Sequence, residues 1–365
     1  YVNGDTTTEM GKLRKQHGYP EPWRVKLWQI GNEHYGTYQA GHVQPQTYAV
    51  NIRRYVNAMK QADPSIQVMV SGADPMYTDH KGDEWNQVLL QNAGDAIDGV
   101  DIHRYVNWFT IDKMEFKNID PWLKGHMYVA FPSQYEKIVS ILTDDFEEYN
   151  QPALEITVGE WNLSEVVVGP DKFIDYPTMP HAAFVAGMYN TFIKKGQWVK
   201  YAHQRDNTLY FRPYAKDFRP VNPGAYVLQM YSKPFQQDKS YQLLVMQLKS
   251  PGFAHPALGQ RFISMEDVPY VDAVSVISED RKKVYIFMTN RHLISSFPVN
   301  IKLPNSLAAA TIKSKELATD NVFKQQESWD EFAFEITEQE LKAEKNEIKL
   351  DIKPSAVIRL EVTLK

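Results

Sequence analysis

Two glutamates stand where chemistry could be done. Glu33 closes the run Trp28-Gln29-Ile30-Gly31-Asn32, and Glu160 closes Ile156-Thr157-Val158-Gly159, so each follows a short apolar stretch at the C-terminal end of an expected β-strand. One protonated and one ionised carboxyl group facing each other across a sugar is the equipment of glycoside hydrolysis. A separation of about 5 to 5.5 Å selects the retaining, double-displacement route. Position alone does not make the pair specific: the chain holds 45 acidic residues, and an acid after a strand commonly caps a helix or lies in a solvated loop. What matters is whether the intervening elements can bring the two together.

The first half of the sequence alternates strand and helix patterns. Strands are expected at Val25 to Ile30, Ile66 to Val70, Val100 to His103, Leu154 to Val158 and Val199 to Ala202. Between them, Pro45 to Ala62 places Tyr48, Ile52, Tyr55, Val56 and Met59 at helical spacing, and Asp63-Pro64 ends the helix. Ser133 with Glu136 reads as a capping box opening a second helix, and Pro180 to Lys195 reads as a third. Such alternation argues for a parallel sheet flanked by helices, and in a β/α barrel the C-terminal strand ends form the active face. Beyond about Tyr231 the pattern becomes antiparallel, with strands expected at Gln242 to Gln247, Ala273 to Ile277, Val284 to Thr289, Val299 to Leu303 and Ala356 to Thr363. Lys313 to Lys349 is charged and weakly patterned, with Glu338 to Lys345 read as a surface excursion. The expected architecture is therefore a catalytic β/α-barrel portion over residues 1–225 and an antiparallel β-sandwich over 226–365.

Composition narrows the alternatives. With 365 residues, 43% hydrophobic and 23% charged, the chain can bury a large core and is no disordered tail or coiled coil. Its net charge of −5 and the lack of a dense basic run argue against nucleic acid as a partner. No apolar run approaches the roughly 18 residues of a membrane span, so no membrane partner is expected. The absence of cysteine excludes thiolate metal sites and a cysteine nucleophile, while leaving the compartment open. His34, His42 and His80 form no His-Glu-x-x-His pair, and no glycine-rich phosphate loop or Gly-x-Ser-x-Gly elbow occurs; neither metal nor cofactor is expected. Trp85, Trp122 and Trp198 are expected to pack helices rather than bind sugar. Asn162-Leu163-Ser164 matches a glycosylation sequon, but its position directly after Glu160 speaks against a glycan.

Taken in order, the motifs resemble those of a known family. Trp28 to Glu33 matches the strand-four signature of the large clan of retaining barrel glycosidases, and Gly159-Glu160-Trp161-Asn162 resembles its strand-seven nucleophile motif. Leu13-Arg14, His17 to Pro22, Gly36, Gln39 to His42, Asp101 to Tyr105, Asp267 to Tyr270 and Pro354 to Leu360 narrow the resemblance to the family 51 α-L-arabinofuranosidases. The resemblance implies a TIM-type (β/α)8 barrel of which this chain carries strands four to eight, followed by a jelly-roll-like sandwich. A further N-terminal barrel segment is then expected in the natural protein. It implies Glu33 as general acid/base, Glu160 as nucleophile, and Asn32, Tyr38, His103, Tyr105 and Trp161 as sugar-binding residues. The general acid should be protonated near neutral pH and the nucleophile ionised. The strand-eight glutamine falls on Gln204 if a gap is placed after Val199-Lys200 and on Asp206 if none is. Tyr38 stands at a position often occupied by tryptophan, Ser164 at one that can be aromatic, and the loop from Arg205 to Pro223 departs from the family, leaving linkage preference open. The resemblance also makes a homo-oligomer an expectation without setting the number of subunits. The implied activity is release of terminal arabinofuranosyl groups; the competing readings are a β-xylosidase or endoglucanase of the same clan and a catalytically silent carbohydrate-binding fragment.

Overall fold

The computed structural model describes residues 1–76, 81–106, 120–163, 166–168, 171–173, 178–204, 223–235, 240–258, 262–324, 333–344 and 346–365. In chain order the elements are α1 (Glu9–Gln16), β1 (Leu27–Ile30), α2 (Pro45–Ala62), β2 (Gln67–Ser71), α3 (Gly82–Ala93), β3 (Gly99–Val106), α4 (Pro121–Glu148) and β4 (Glu155–Leu163). A small hairpin, β5 (Val166–Val168) with β6 (Asp171–Phe173), precedes α5 (Met179–Lys194), β7 (Val199–Gln204) and α6 (Pro223–Ser232). Ten further strands follow: β8 (Tyr241–Leu244), β9 (Gly252–His255), β10 (Met265–Pro269), β11 (Val271–Ser278), β12 (Lys283–Asn290), β13 (Phe297–Lys302), β14 (Ala309–Ala318), β15 (Glu335–Leu341), β16 (Glu347–Ile352) and β17 (Val357–Leu364). These pack as two compact units. One is Tyr1–Arg104, Ile138–Trp161 and Gln197–His203; the other is Tyr105–Lys137, Asn162–Gly196 and Gln204–Lys365.

The first unit holds most of a five-stranded sheet of order β1-β2-β3-β4-β7, with β1–β2 and β2–β3 paired in parallel. The three inner strands are almost continuously buried, whereas β1 and β7 are partly open, as expected of strands with one neighbour. Helix α2 starts with Pro45 in the first turn, where its missing N–H is not needed, and buries Tyr48, Ala49, Ile52 and Val56 along one face. The Tyr48 hydroxyl donates to the carbonyl of Ile30 and accepts from the N–H of Ser71, both at 2.8 Å, so one side chain ties together the ends of β1 and β2. Arg14 on α1 is fully buried and donates to the carbonyls of Gly4, Tyr19 and Pro20, which gathers the segment before β1.

In the second unit a six-stranded sheet of order β15-β14-β17-β12-β11-β8 is antiparallel in every pair. Its core includes Val284, Ile286, Met288, Ile358 and Leu360, joined by Ile348 and Ile352 of the β13–β16 pair. The segment read as weakly patterned holds the whole of β15, most of β14 and the start of β16. All but the last residue of β15 are exposed, and among the described residues it pairs on one side only, with β14; an edge strand of this kind keeps charges on both faces and shows no alternation.

A second expectation is corrected at α4. The helix does not begin at Ser133 but runs from Pro121 through Pro132. A proline inside a helix normally breaks it. Here the Pro132 ring sits against Gly187 of α5, where an added Cβ would lie 2.6 Å from Cγ, and the Pro132 carbonyl accepts from the Thr191 hydroxyl at 3.3 Å. The Ser133 hydroxyl accepts from Arg291 Nη1 at 2.8 Å instead of capping a helix.

Candidate active site

The site lies at the C-terminal ends of β1, β3 and β4. Glu33 follows β1 after Gly31, whose φ of +86° turns the chain sharply; a Cβ there would lie 2.5 Å from the His34 ring, so glycine suits the position. Glu33 itself has φ +48°, an uncommon conformation for a side chain of its size. Glu160 lies within β4, and Asp101 and His103 alternate along β3, which sends both side chains to the same face.

His103 joins these carboxylates. Its Nδ1 lies 2.9 Å from Glu33 Oε1 and 3.8 Å from Glu160 Oε1, and its Nε2 lies 2.9 Å from Asp101 Oδ2. Gln39 Nε2 donates to Glu33 Oε2 at 3.0 Å, and Gln29 Nε2 donates to Asp101 Oδ2 at 2.8 Å. One oxygen from each glutamate and one nitrogen of His103 all fall within 4.8 Å of one another, an approach compatible with the retaining geometry. Gly159 completes the arrangement: a Cβ at this residue would lie 2.5 Å from Asp101 Oδ1, so the buried aspartate occupies space that only glycine leaves next to Glu160.

Burial raises the Glu33 pKa, but the hydrogen bond and positive charge of His103, with hydrogen bonds from Gln39 and Tyr38, outweigh it and hold the carboxyl at about 2. Burial lowers the His103 pKa, and the hydrogen bonds to Asp101 and Glu33 together with the charges of Asp101 and Glu160 outweigh it, pushing the imidazole up to about 9. At neutral pH the proton of this cluster therefore sits on His103 and Glu33 is ionised, the reverse of the protonation expected for a general acid. Although Glu33, His103 and Glu160 converge closely enough for a metal ion, an imidazolium that donates from both nitrogens has no lone pair to give. The donor set as arranged fits a proton better than a metal.

A family profile described as the alpha-L-arabinofuranosidase 1 domain matches residues 1–122. An intracellular exo-alpha-(1->5)-L-arabinofuranosidase of Acetivibrio thermocellus is 24% identical over 312 residues, covering 80% of this chain and 58% of the relative. A like-named protein of Streptomyces lividans is 30% identical over 329 residues, covering 87% of this chain and 47% of its own length. The crystal structure of an alpha-L-arabinofuranosidase from Thermotoga maritima, an arabinose complex, superposes with a TM-score of 0.81 at 24% identity, covering 100% of this chain and 71% of that one. Residues 1–122 thus match that domain, and the chain as a whole is similar to the family 51 α-L-arabinofuranosidases. It spans 58% of the Acetivibrio relative's length.

The residues singled out from sequence are placed as follows. Glu33, His103 and Glu160 come together. Tyr38 is 61% exposed, with its hydroxyl bonded to Glu33, and Asn32 is exposed beside it. Trp161 is wholly buried and presents no open face to a sugar. Tyr105 and Gln204 are half-buried in the second unit, where Gln204 accepts from the Tyr189 hydroxyl at 2.8 Å and donates to Asn162 Oδ1 at 3.4 Å. Asp206, Ser164 and most of the Arg205 to Pro223 loop lie outside the described residues. Gln29, Gln39 and Asp101 all sit inside motifs that carried the resemblance, yet were not read as site residues. The readable signal was Asp101-x-His103, two polar residues on one face of a buried strand.

Proposed function

We propose that this chain carries the catalytic centre of a retaining α-L-arabinofuranosidase, releasing terminal arabinofuranosyl groups from arabinose-containing polysaccharides or oligosaccharides. The observation that carries the reading is the convergence of Glu33 and Glu160 on His103, with one oxygen of each within 4.8 Å. Glu160 would attack the anomeric carbon while Glu33 delivers a proton to the departing oxygen. Water activated by Glu33 would then hydrolyse the glycosyl-enzyme ester. Asn32 and Tyr38 are proposed to hold the sugar beside Glu33, and His103 to line the nucleophile side. The five-stranded sheet is taken as strands four to eight of a (β/α)8 barrel over residues 1–225, with the sandwich over 226–365; likeness to the Thermotoga fold supports this.

Azide tests the two roles. With an activated aryl arabinofuranoside, Glu33→Ala should be rescued by azide to give the glycosyl azide of retained configuration. Glu160→Ala should turn over only with azide and give the inverted azide. Turnover of Glu160→Ala without azide would remove Glu160 as nucleophile.

A further inference from the structure

Glu33 is ionised in the resting arrangement, yet the proposed reaction asks it for a proton. The groups facing His103 explain where that proton resides. From the β1 side comes Glu33, from β4 Glu160, and from its own strand Asp101. Tyr48 of α2 lies within electrostatic reach of Asp101, and the Tyr38 hydroxyl acts on Glu33. Asp101 is 2% exposed; one oxygen receives both Gln29 and His103, and the other has no hydrogen bond among the described residues. A buried carboxylate so fixed can do little except orient the imidazole and favour its charge.

We infer that His103 stores the proton that Glu33 delivers and that Asp101 is the positioning residue that keeps it there. This inference rests on the glycosidase reading above. In the first half-reaction the bond from the anomeric carbon to the leaving oxygen breaks, and a bond to Glu160 Oε forms. His103 Nδ1 hands its proton to the ionised Glu33, which passes it to the leaving oxygen and is left ionised again. Glu160 loses its negative charge as an ester while His103 loses its positive charge, so the site's net charge does not change. In the second half, water gives its proton to Glu33 and on to His103, its oxygen bonds the anomeric carbon, and the Glu160 carboxylate is released. The cluster never has to hold an additional net charge in a partly buried place, which would be costly.

The test is Asp101→Asn, read by pH profile, leaving group and direct titration. For an alkyl arabinofuranoside, whose leaving group needs the proton, kcat/KM should fall about 10- to 100-fold, and the alkaline limb should move about one pH unit or more to lower pH. For a 2,4-dinitrophenyl arabinofuranoside, which leaves without help, the loss should stay below about threefold. Equal losses on both substrates, or an unmoved alkaline limb, would overturn the inference. Imidazole NMR provides a readout independent of activity: His103 should titrate at about 9 in the unsubstituted chain and distinctly lower in Asp101→Asn. If the unsubstituted chain hydrolysed no arabinofuranoside, the substrate reading would fail, while the titration would still decide where the proton is stored. A midpoint near 6.5 in that chain would sink the inference. Should Asp101→Asn not fold, Gly159→Ala pushes the same carboxylate away from its place and should lower the His103 midpoint in the same direction.

Discussion

Two buried ionic clusters in this chain are built from similar residues but differ in balance. Around His103, three carboxylates share one cation, and two of them, Glu33 and Glu160, keep side-chain exposures of 17% and 24%. Around Asp272 in the second unit, Lys194 at 2.6 Å and Arg291 at 3.2 Å meet Asp272 and Glu136 in equal number, and Asn190 and Tyr231 take up further hydrogen bonds. The second cluster is neutral, with Asp272 and Arg291 buried and Lys194 and Glu136 partly exposed; the first is short of positive charge. A charge-balanced cluster contributes to one fixed arrangement of the chain, whereas an unbalanced one keeps protons and charges available for exchange.

That contrast can be broken most severely at Glu160, the proposed nucleophile. Glu160→Ala is expected to lower kcat by on the order of 10⁴-fold or more while leaving the urea midpoint within error; a shifted midpoint with retained turnover would contradict it. At the other cluster the roles should reverse. Asp272→Ala leaves two cations facing a gap and should destabilise the chain by about 3 to 5 kcal/mol in denaturant titration.

A smaller effect separates the clusters by pH. The His103 pKa is raised, so its contribution to stability is complete below about 6.5 and is lost as pH rises through about 9. Burial raises the Asp272 pKa, but the charges of Arg291 and Lys194 and hydrogen bonds from Lys194 and Asn190 outweigh it and hold it at about 2. Its contribution is present above 3.8 and lost as pH falls through about 2. The stability difference between the unsubstituted chain and His103→Gln should therefore shrink between pH 6.5 and 9.5, and that for Asp272→Asn should stay flat there. Parallel curves would show that the clusters do not differ in the way described. The smallest effect belongs to Gln39→Ala, which removes one neutral donor from Glu33 and should reduce kcat/KM by the equivalent of about 0.5 to 1.5 kcal/mol.

Much of the fold was legible because its signals are local. The bounds of α2 follow from Pro45 at its start and Asp63-Pro64 at its end, and the inner strands announce themselves as apolar runs. The helix through Pro132 was not legible, since what allows it is Gly187 and Thr191, more than fifty residues away in sequence. The same holds for β15, whose pairing leaves no apolar face to read. At the site, Glu33 and Glu160 were visible by type and position. That the Glu33 proton resides elsewhere was not, because it depends on three carboxylates meeting one imidazole in space.

The left-handed backbone at Glu33 sets stability against chemistry in a single residue. A φ of +48° costs a residue with a Cβ about 1 to 3 kcal/mol that glycine would not incur. Drift toward glycine at this position would be rewarded by a firmer fold and punished by the loss of the carboxylate. The turn after β1 is therefore a place where a strained backbone carries a carboxylate of the cluster.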